Sequence, residues 1–240
     1  MTTRTPEPAR KRYYLVSLDV ASNSGTGVFF VNEEEALVNG RRVGYHERRV
    51  PGHPHPVFVG VPPLREKPKV VIPGTGAKAV DYDGMIPVFI SSRAKRLLEG
   101  IDPGAFEFAE CETATRRGNP IEPYWWMDVI RWVEKFDEAR SDFEWYRDRF
   151  PTAPNAQDNP SMFRLYDIHM PAGFPDEYHA FRFAHFNGKA VFDEVIVDAW
   201  RAARLTGAMF TPLQPPTKAD LKRHLSFINY PYWTERSHRP

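Results

Sequence analysis

Two stretches of this chain repeat one pattern at a constant separation of 103 residues. Val88-Phe89 leads into a helical run to Leu98 and then Gly104-Ala105-Phe106. Val191-Phe192 leads into a helical run to Arg201 and then Gly207-Ala208-Met209. Leu97 falls on Trp200 and Ala94 on Val197. Each stretch reads as strand, helix, glycine turn, strand, with the glycine suited to the left-handed position that follows a helix. The two β-α-β units, about 87–108 and 190–211, are either structural duplicates or two ordinary units that coincide. Either way they exclude a pure β sandwich and favour an α+β fold. Duplication further requires that Leu97 and Trp200 are both buried.

The rest of the chain is read around these units. Tyr13–Val20 alternates, with Tyr14, Val16, Leu18 and Val20 on one side and Ser17 and Asp19 on the other, as in a half-buried strand. Strands are also expected at Val28–Val31, Val57–Val61, Val70–Ile72, Met162–Ile168, Ala180–Phe186 and Ala190–Phe192. Asn39-Gly40, between Ala36–Val38 and Arg41–Val43, and Asn187-Gly188 suit the positive φ of tight hairpin turns. Tyr124–Phe136 fits a helix slightly better than a strand, although its first part also fits a strand, and Phe143–Phe150 looks helical. Pro151–Pro160 reads as a loop. The division expected is a flexible tail at 1–11, one α+β domain at 12–215 (β-rich over 12–85, mixed over 86–215) and a C-terminal extension at 216–240 with a short amphipathic piece, Lys218–Phe227.

With 42% apolar and 14% aromatic residues, the chain has the bulk for a core, so wholesale disorder is excluded. Thirty-two Lys and Arg stand against 31 Asp and Glu. That balance argues against nucleic acid as the partner, since nucleic-acid binders carry a basic excess. No stretch is long and apolar enough for a membrane span, and the polar, basic start lacks the apolar core of a secretory signal, so the expected compartment is the cytoplasm.

Motifs that would carry chemistry are weak. Gly74-Thr75-Gly76 lacks the Lys-Ser/Thr of a phosphate-binding loop and the third glycine of a dinucleotide fingerprint. His53 and His55 flank Pro54 near His46, but nothing in the spacing supplies a full ligand set, and no metal or cofactor is expected. Cys111, the single cysteine, reads as a buried small residue, and Ser91-Ser92 as a helix N-cap. His169, His179 and His185 lie on or beside expected strands. The chain is therefore read as a binding protein rather than an enzyme. The alternative is a small hydrolase or transferase whose site is assembled from distant His, Asp and Glu side chains.

One resemblance sharpens that reading. "MFRLYDIHMPAG" followed by "KAVFDEVIVDAWRAARLTGAMFTPL", the upstream "YWWMDVIRWVEKFDEARSDF" with Phe136, Asp137 and Ser141, and "IPVFISSRAKRLLEG" with Pro87, Val88 and Ser92 are similar to signatures of one bacterial family. Over roughly Pro87–Pro212 the chain resembles the polymorphic-toxin immunity proteins of the myxobacterial type, formerly classed as a domain of unknown function. The resemblance implies an antitoxin that binds a cognate toxin domain encoded nearby. It carries over no functional residues. The candidate contacts come from the sequence itself: the basic arm Arg41, Arg42, Arg48 and Arg49, and the aromatic tail Tyr230, Tyr232 and Trp233. Nothing in the sequence sets the oligomeric state.

Overall fold

The computed structural model describes residues 10–19, 27–38, 47–48, 57–58, 60–72, 80–84, 87–152, 162–184, 186 and 189–215. Along the chain, β1 (Tyr13–Leu18) is followed by β2 (Phe29–Phe30), the single turn α1 (Glu33–Ala36), β3 (Glu47–Arg48), β4 (Val57–Phe58), β5 (Lys69–Ile72) and β6 (Tyr82–Asp83). The first β-α-β unit is β7 (Val88–Ser91), α2 (Ser92–Ile101), a 3-10 turn at Pro103–Ala105 and β8 (Phe106–Glu110). Next come β9 (Glu112–Thr115), β10 (Tyr124–Val129), β11 (Trp132–Val133), β12 (Asp142–Trp145), α3 (Tyr146–Arg149) and β13 (Met162–Asp167). The second unit follows β14 (Ala180–Phe183) and consists of β15 (Ala190–Asp193), α4 (Glu194–Ala202) and β16 (Ala208–Pro212). The fold is α+β and rich in strand.

Two sheets carry the architecture, in the orders β6-β7-β10-β8 and β11-β14-β15-β1-β16. In the first, β10 lies between β7 and β8 and is antiparallel to both. In the second, β1 lies between β15 and β16 and is antiparallel to both. Each β-α-β unit is thus split by one intruding strand, which arrives after the unit in the first case and from the N-terminal part of the chain in the second.

The pairing registers coincide when Ser91 is set on Asp193 and Tyr124 on Tyr13. Tyr124↔Ser91 then falls on Tyr13↔Asp193, and Val129↔Phe106 on Leu18↔Ala208. The outer pair Tyr82↔Ile90 falls on Ala180↔Phe192. Single hydrogen bonds repeat as well. The Cys111 N–H donates to the Tyr124 carbonyl and the Leu213 N–H to the Tyr13 carbonyl, both at 2.8 Å. The duplication is real, but its step is 102 residues (Ser91 to Asp193, Phe106 to Ala208) rather than 103.

The corrected step changes which residues correspond. Leu98 falls on Trp200 and Ala94 on Ile196, and all four are at most 2% exposed. Leu97 is only half-buried, at the margin of the same core. Both helices are capped at equivalent positions. The Ser91 side chain accepts from the Ala94 N–H, and the Asp193 carboxylate from the Val195 and Ile196 N–H groups. The left-handed position after α4 is taken by Arg204 (φ 52°), not by Gly207. Gly207 (φ 90°) answers a different need: a Cβ there would run into the backbone of Tyr82 in β6, so the turn before β16 meets the first sheet at a contact only glycine permits.

One shared core forms where α2 and α4 pack together over both sheets, with Ile90, Leu98, Met127, Phe192, Trp200 and Phe210. A second core lies on the opposite face of β1-β15-β14, against β12-β13. A third lies on the opposite face of β7-β10, against the small sheet β2-β5-β9. Consequently β1 and β10 are buried on both faces. Tyr14 and Val16 enter the shared core while Tyr13 and Leu15 enter the second, so β1 is a central strand and not the half-exposed one its alternation suggests.

Three further elements depart from expectation. The aromatic stretch Tyr124–Phe136, whose spacing fits a helix slightly better but leaves a strand open, forms the strands β10 and β11, because each face of β10 has a core to fill. Asp142–Trp145 pairs with β13 as a strand, leaving Tyr146–Arg149 as one helical turn. Glu33–Ala36 is a helical turn where Ala36–Val38 was expected as a strand, and Leu37 makes only an isolated bridge to Leu64. The Asn39-Gly40, Asn187-Gly188 and Gly74-Thr75-Gly76 turns and Lys218–Phe227 lie outside the described residues, although β14 and β15 do pair antiparallel on either side of 187–188.

The register makes a test possible. Leu98→Ala is expected to destabilise the fold by about 2–5 kcal/mol, and Leu97→Ala by clearly less, because only Leu98 leaves a closed cavity. Urea unfolding of the two variants measures this. Equal losses, or a larger loss at Leu97, would restore the 103-residue step.

Candidate functional site

The two sheets, with the helices packed on them, are joined by carboxylates. Asp102, the C-cap of α2 and 4% exposed, accepts from the backbone N–H groups of His179 (2.9 Å) and Ala180 (3.2 Å) at the start of β14 in the second sheet. Arg131 binds the same carboxylate through both terminal nitrogens, donates to the Ala180 carbonyl at 3.1 Å and stacks 4.1 Å over the Tyr178 ring. Burial alone would raise the Asp102 carboxyl, but Arg131 and the two N–H groups hold it below its ordinary value. A reciprocal link runs the other way. Asp81, just before β6, accepts from the Thr206 N–H (2.9 Å) and hydroxyl (3.3 Å) beyond α4.

Around Asp81 the surface opens into a cavity of about 480 Å³. Its wall includes Ser91 and Arg93 of the first unit, Arg204 and Thr206 of the second, and Ile121 and Glu122 from the approach to β10. The Ser91 hydroxyl donates to Asp81 at 2.6 Å, and Arg93 does so through Nε and one terminal nitrogen at 3.3 and 3.0 Å. Glu122 is drawn outward to Arg96 at 3.4 Å. The Arg204 side chain has no hydrogen-bond or ion-pair partner among the described residues, and it is exposed. Ile121 stands 37% exposed at the rim.

A family model described as Immunity protein family (Imm11) matches residues 12–214. The chain belongs to that family. No curated protein matches it. The resemblance read from the motifs over roughly Pro87–Pro212 therefore extends across both sheets, and the immunity family's region contains the duplicated units, their cross-links and the cavity.

Within this immunity domain the chemically suggestive side chains are committed to structure. His179 Nδ1 donates to Asp193 at 2.7 Å. Asp193 is fully buried and also accepts from Lys11 Nζ (2.8 Å) and from the first amides of α4. His169 Nε2 accepts from Arg10 at 2.8 Å, and burial and that guanidinium lower its pKa. Neither histidine lines the cavity, and the structure does not bring them into one site. Burial pushes the Cys111 thiol up to about 12, which suits the expected packing role and leaves no thiolate near neutral pH.

His46, His53, His55 and His185 lie outside the described residues, as do Arg41, Arg42, Arg49, Tyr230, Tyr232 and Trp233. Arg48 is placed only by its backbone in β3, which pairs with β4. Reading the sequence missed the cavity. Ser91 was visible as a cap, but Asp81 and Thr206 meet across 125 residues and no local pattern announces them.

Asp128 offers a pH readout of the packing. It pairs with Arg182 and accepts the Gly60 N–H, yet burial raises its carboxyl from 3.8 to about 6. The folded protein therefore keeps this proton over a pH range in which the unfolded chain has lost it. Acidification between about pH 6 and 4 accordingly favours the folded state at this residue. The stability of the protein relative to its Asp128→Asn variant is expected to rise as pH falls through that window, measured by urea unfolding at each pH. A constant or shrinking difference would contradict it.

Proposed function

We propose that the protein neutralises a cognate toxin domain, encoded nearby, by direct protein–protein binding and without chemistry of its own. The observation that carries this reading is membership of the immunity family over residues 12–214. The commitment of His179, Asp193, Asp102 and Cys111 to packing and cross-links supports it, because groups that already hold the fold together are poorly placed to leave it for a substrate.

Free toxin must be kept very low, which asks for nanomolar affinity or better, about 12 kcal/mol or more. An interface of roughly 1,600 Å² supplies this when a few aromatic or arginine anchors are desolvated. The proposed binding unit is the domain at 12–215 with its extension at 216–240. The proposed contacts are the arm bearing Arg41, Arg42, Arg48 and Arg49 and the tail bearing Tyr230, Tyr232 and Trp233. Near-equal numbers of acidic and basic residues allow patches of both signs to steer the encounter.

The test is co-expression with the neighbouring toxin domain in a sensitive host, followed by co-purification. Survival with a stable complex is the expected result. Survival without any complex would sink the binding mechanism and point to an enzyme that reverses the toxin's damage.

A further inference from the structure

Resting on that binding role, we propose that the cavity beside Asp81 receives an acidic side chain of the partner protein, held by Arg204 and Arg93. The duplication gives the argument its reference point, because the structure holds two equivalent crevices, each where a split unit's first strand passes into its helix.

In the second unit the chain itself spans the corresponding crevice. The Glu194 N–H donates to the Arg12 carbonyl at 2.9 Å. Lys11 reaches across to the Asp193 carboxylate (2.8 Å) and the Asp176 carbonyl (2.7 Å). A cationic side chain on the approach to β1 thus meets a buried acid at the helix cap.

In the first unit the corresponding approach is Ile121-Glu122-Pro123. The backbone contact is kept in altered form, with the Ser92 hydroxyl donating to the Pro123 carbonyl at 2.8 Å. The filler is not kept. Glu122 stands where Lys11 does, and it turns away to Arg96, leaving the 480 Å³ cavity open.

The charges lining this opening select its occupant. The Asp81 carboxylate is already taken up by the Ser91 hydroxyl, Arg93 and Thr206, so it offers little to an incoming cation. Unused capacity is on the donor side: the second terminal nitrogen of Arg93 and all of Arg204 have no acceptor among the described residues. Guanidinium groups with free N–H pairs recognise carboxylates in a forked geometry. The exposed Ile121 and the neighbouring Pro123 supply apolar surface for the stem of such a side chain. The fit is to an Asp or Glu on the surface of a protein.

The experiment uses the full chain and four variants. Acetyl-tetraglutamate amide is titrated into nitrogen-15-labelled protein and followed by NMR, with acetyl-tetralysine amide and inorganic phosphate as separate arms. The glutamate peptide should shift the Arg93, Arg204 and Thr206 signals saturably, and the lysine peptide should not. Arg204→Glu should abolish the effect and Arg204→Lys weaken it. Arg204→Gly, which suits the left-handed φ of 52°, should abolish it while leaving stability intact or improved.

In parallel, affinity for the neighbouring toxin domain should fall by about tenfold or more in Arg204→Glu and stay within about twofold in Arg117→Glu, a charge reversal outside the cavity. Absence of shifts with the glutamate peptide, binding of phosphate alone, or toxin affinity indifferent to Arg204→Glu would each overturn the proposal. If the unaltered protein does not bind the toxin domain at all, the binding role fails, and the peptide titration alone decides the cavity.

Discussion

The carboxylate of Asp102 holds the two halves of this fold in register. It sits at the end of α2, almost wholly buried, and receives two backbone N–H groups from the start of β14 together with the guanidinium of Arg131. Such a group tolerates no half measures. Removing either charge strands the other in a poorly solvated site at a cost of about 3–5 kcal/mol. Asp81 repeats the arrangement in the opposite sense, from the residue before β6 in the first sheet to the turn after α4, and Gly207 lets the backbone of that turn touch β6. The shared helical core is built from both units in this one relative placement.

That placement explains why the described interior holds buried polar side chains such as Asp81, Asp102 and Asp193, each committed to a structural contact. Asp193 saturates its acceptor capacity on His179, Lys11 and two amides, and Cys111 is sealed beneath β10. What the duplication leaves unequal is more informative than what it repeats. One crevice is spanned by Lys11, and the other stays open with Arg204 at its edge. Among the described residues, this pair of crevices is where the difference between the two halves leaves an opening at the surface.

Much of this was legible in the sequence, and the failures share a cause. The two β-α-β units, their caps and most of the strands follow from local periodicity. Val-Phe and Gly-Ala pairs match by identity at 103, one residue away from the structural step of 102. What the fold preserves is burial, and Leu98 with Trp200 or Ala94 with Ile196 match only in being inside. Tyr124–Phe136 reads ambiguously, as helix or strand, because a strand buried on both faces loses much of the alternation that marks a strand. Contacts such as Asp81 with Thr206, Asp102 with His179 and Arg131 with Tyr178 join residues far apart in the chain, and no spacing rule reaches them. Function was legible only through the family signatures, which say what class of protein this is and not which surface does the work.

The central claim is neutralisation by occupation rather than by chemistry, and stoichiometry separates the two. The activity of the isolated toxin domain would be followed as the purified protein is added, at toxin concentrations well above the dissociation constant. The account predicts a linear fall that reaches zero at a fixed whole-number ratio near one protein per toxin and does not depend on incubation time. Loss of activity at far less than one equivalent, deepening with time, would show turnover and contradict it.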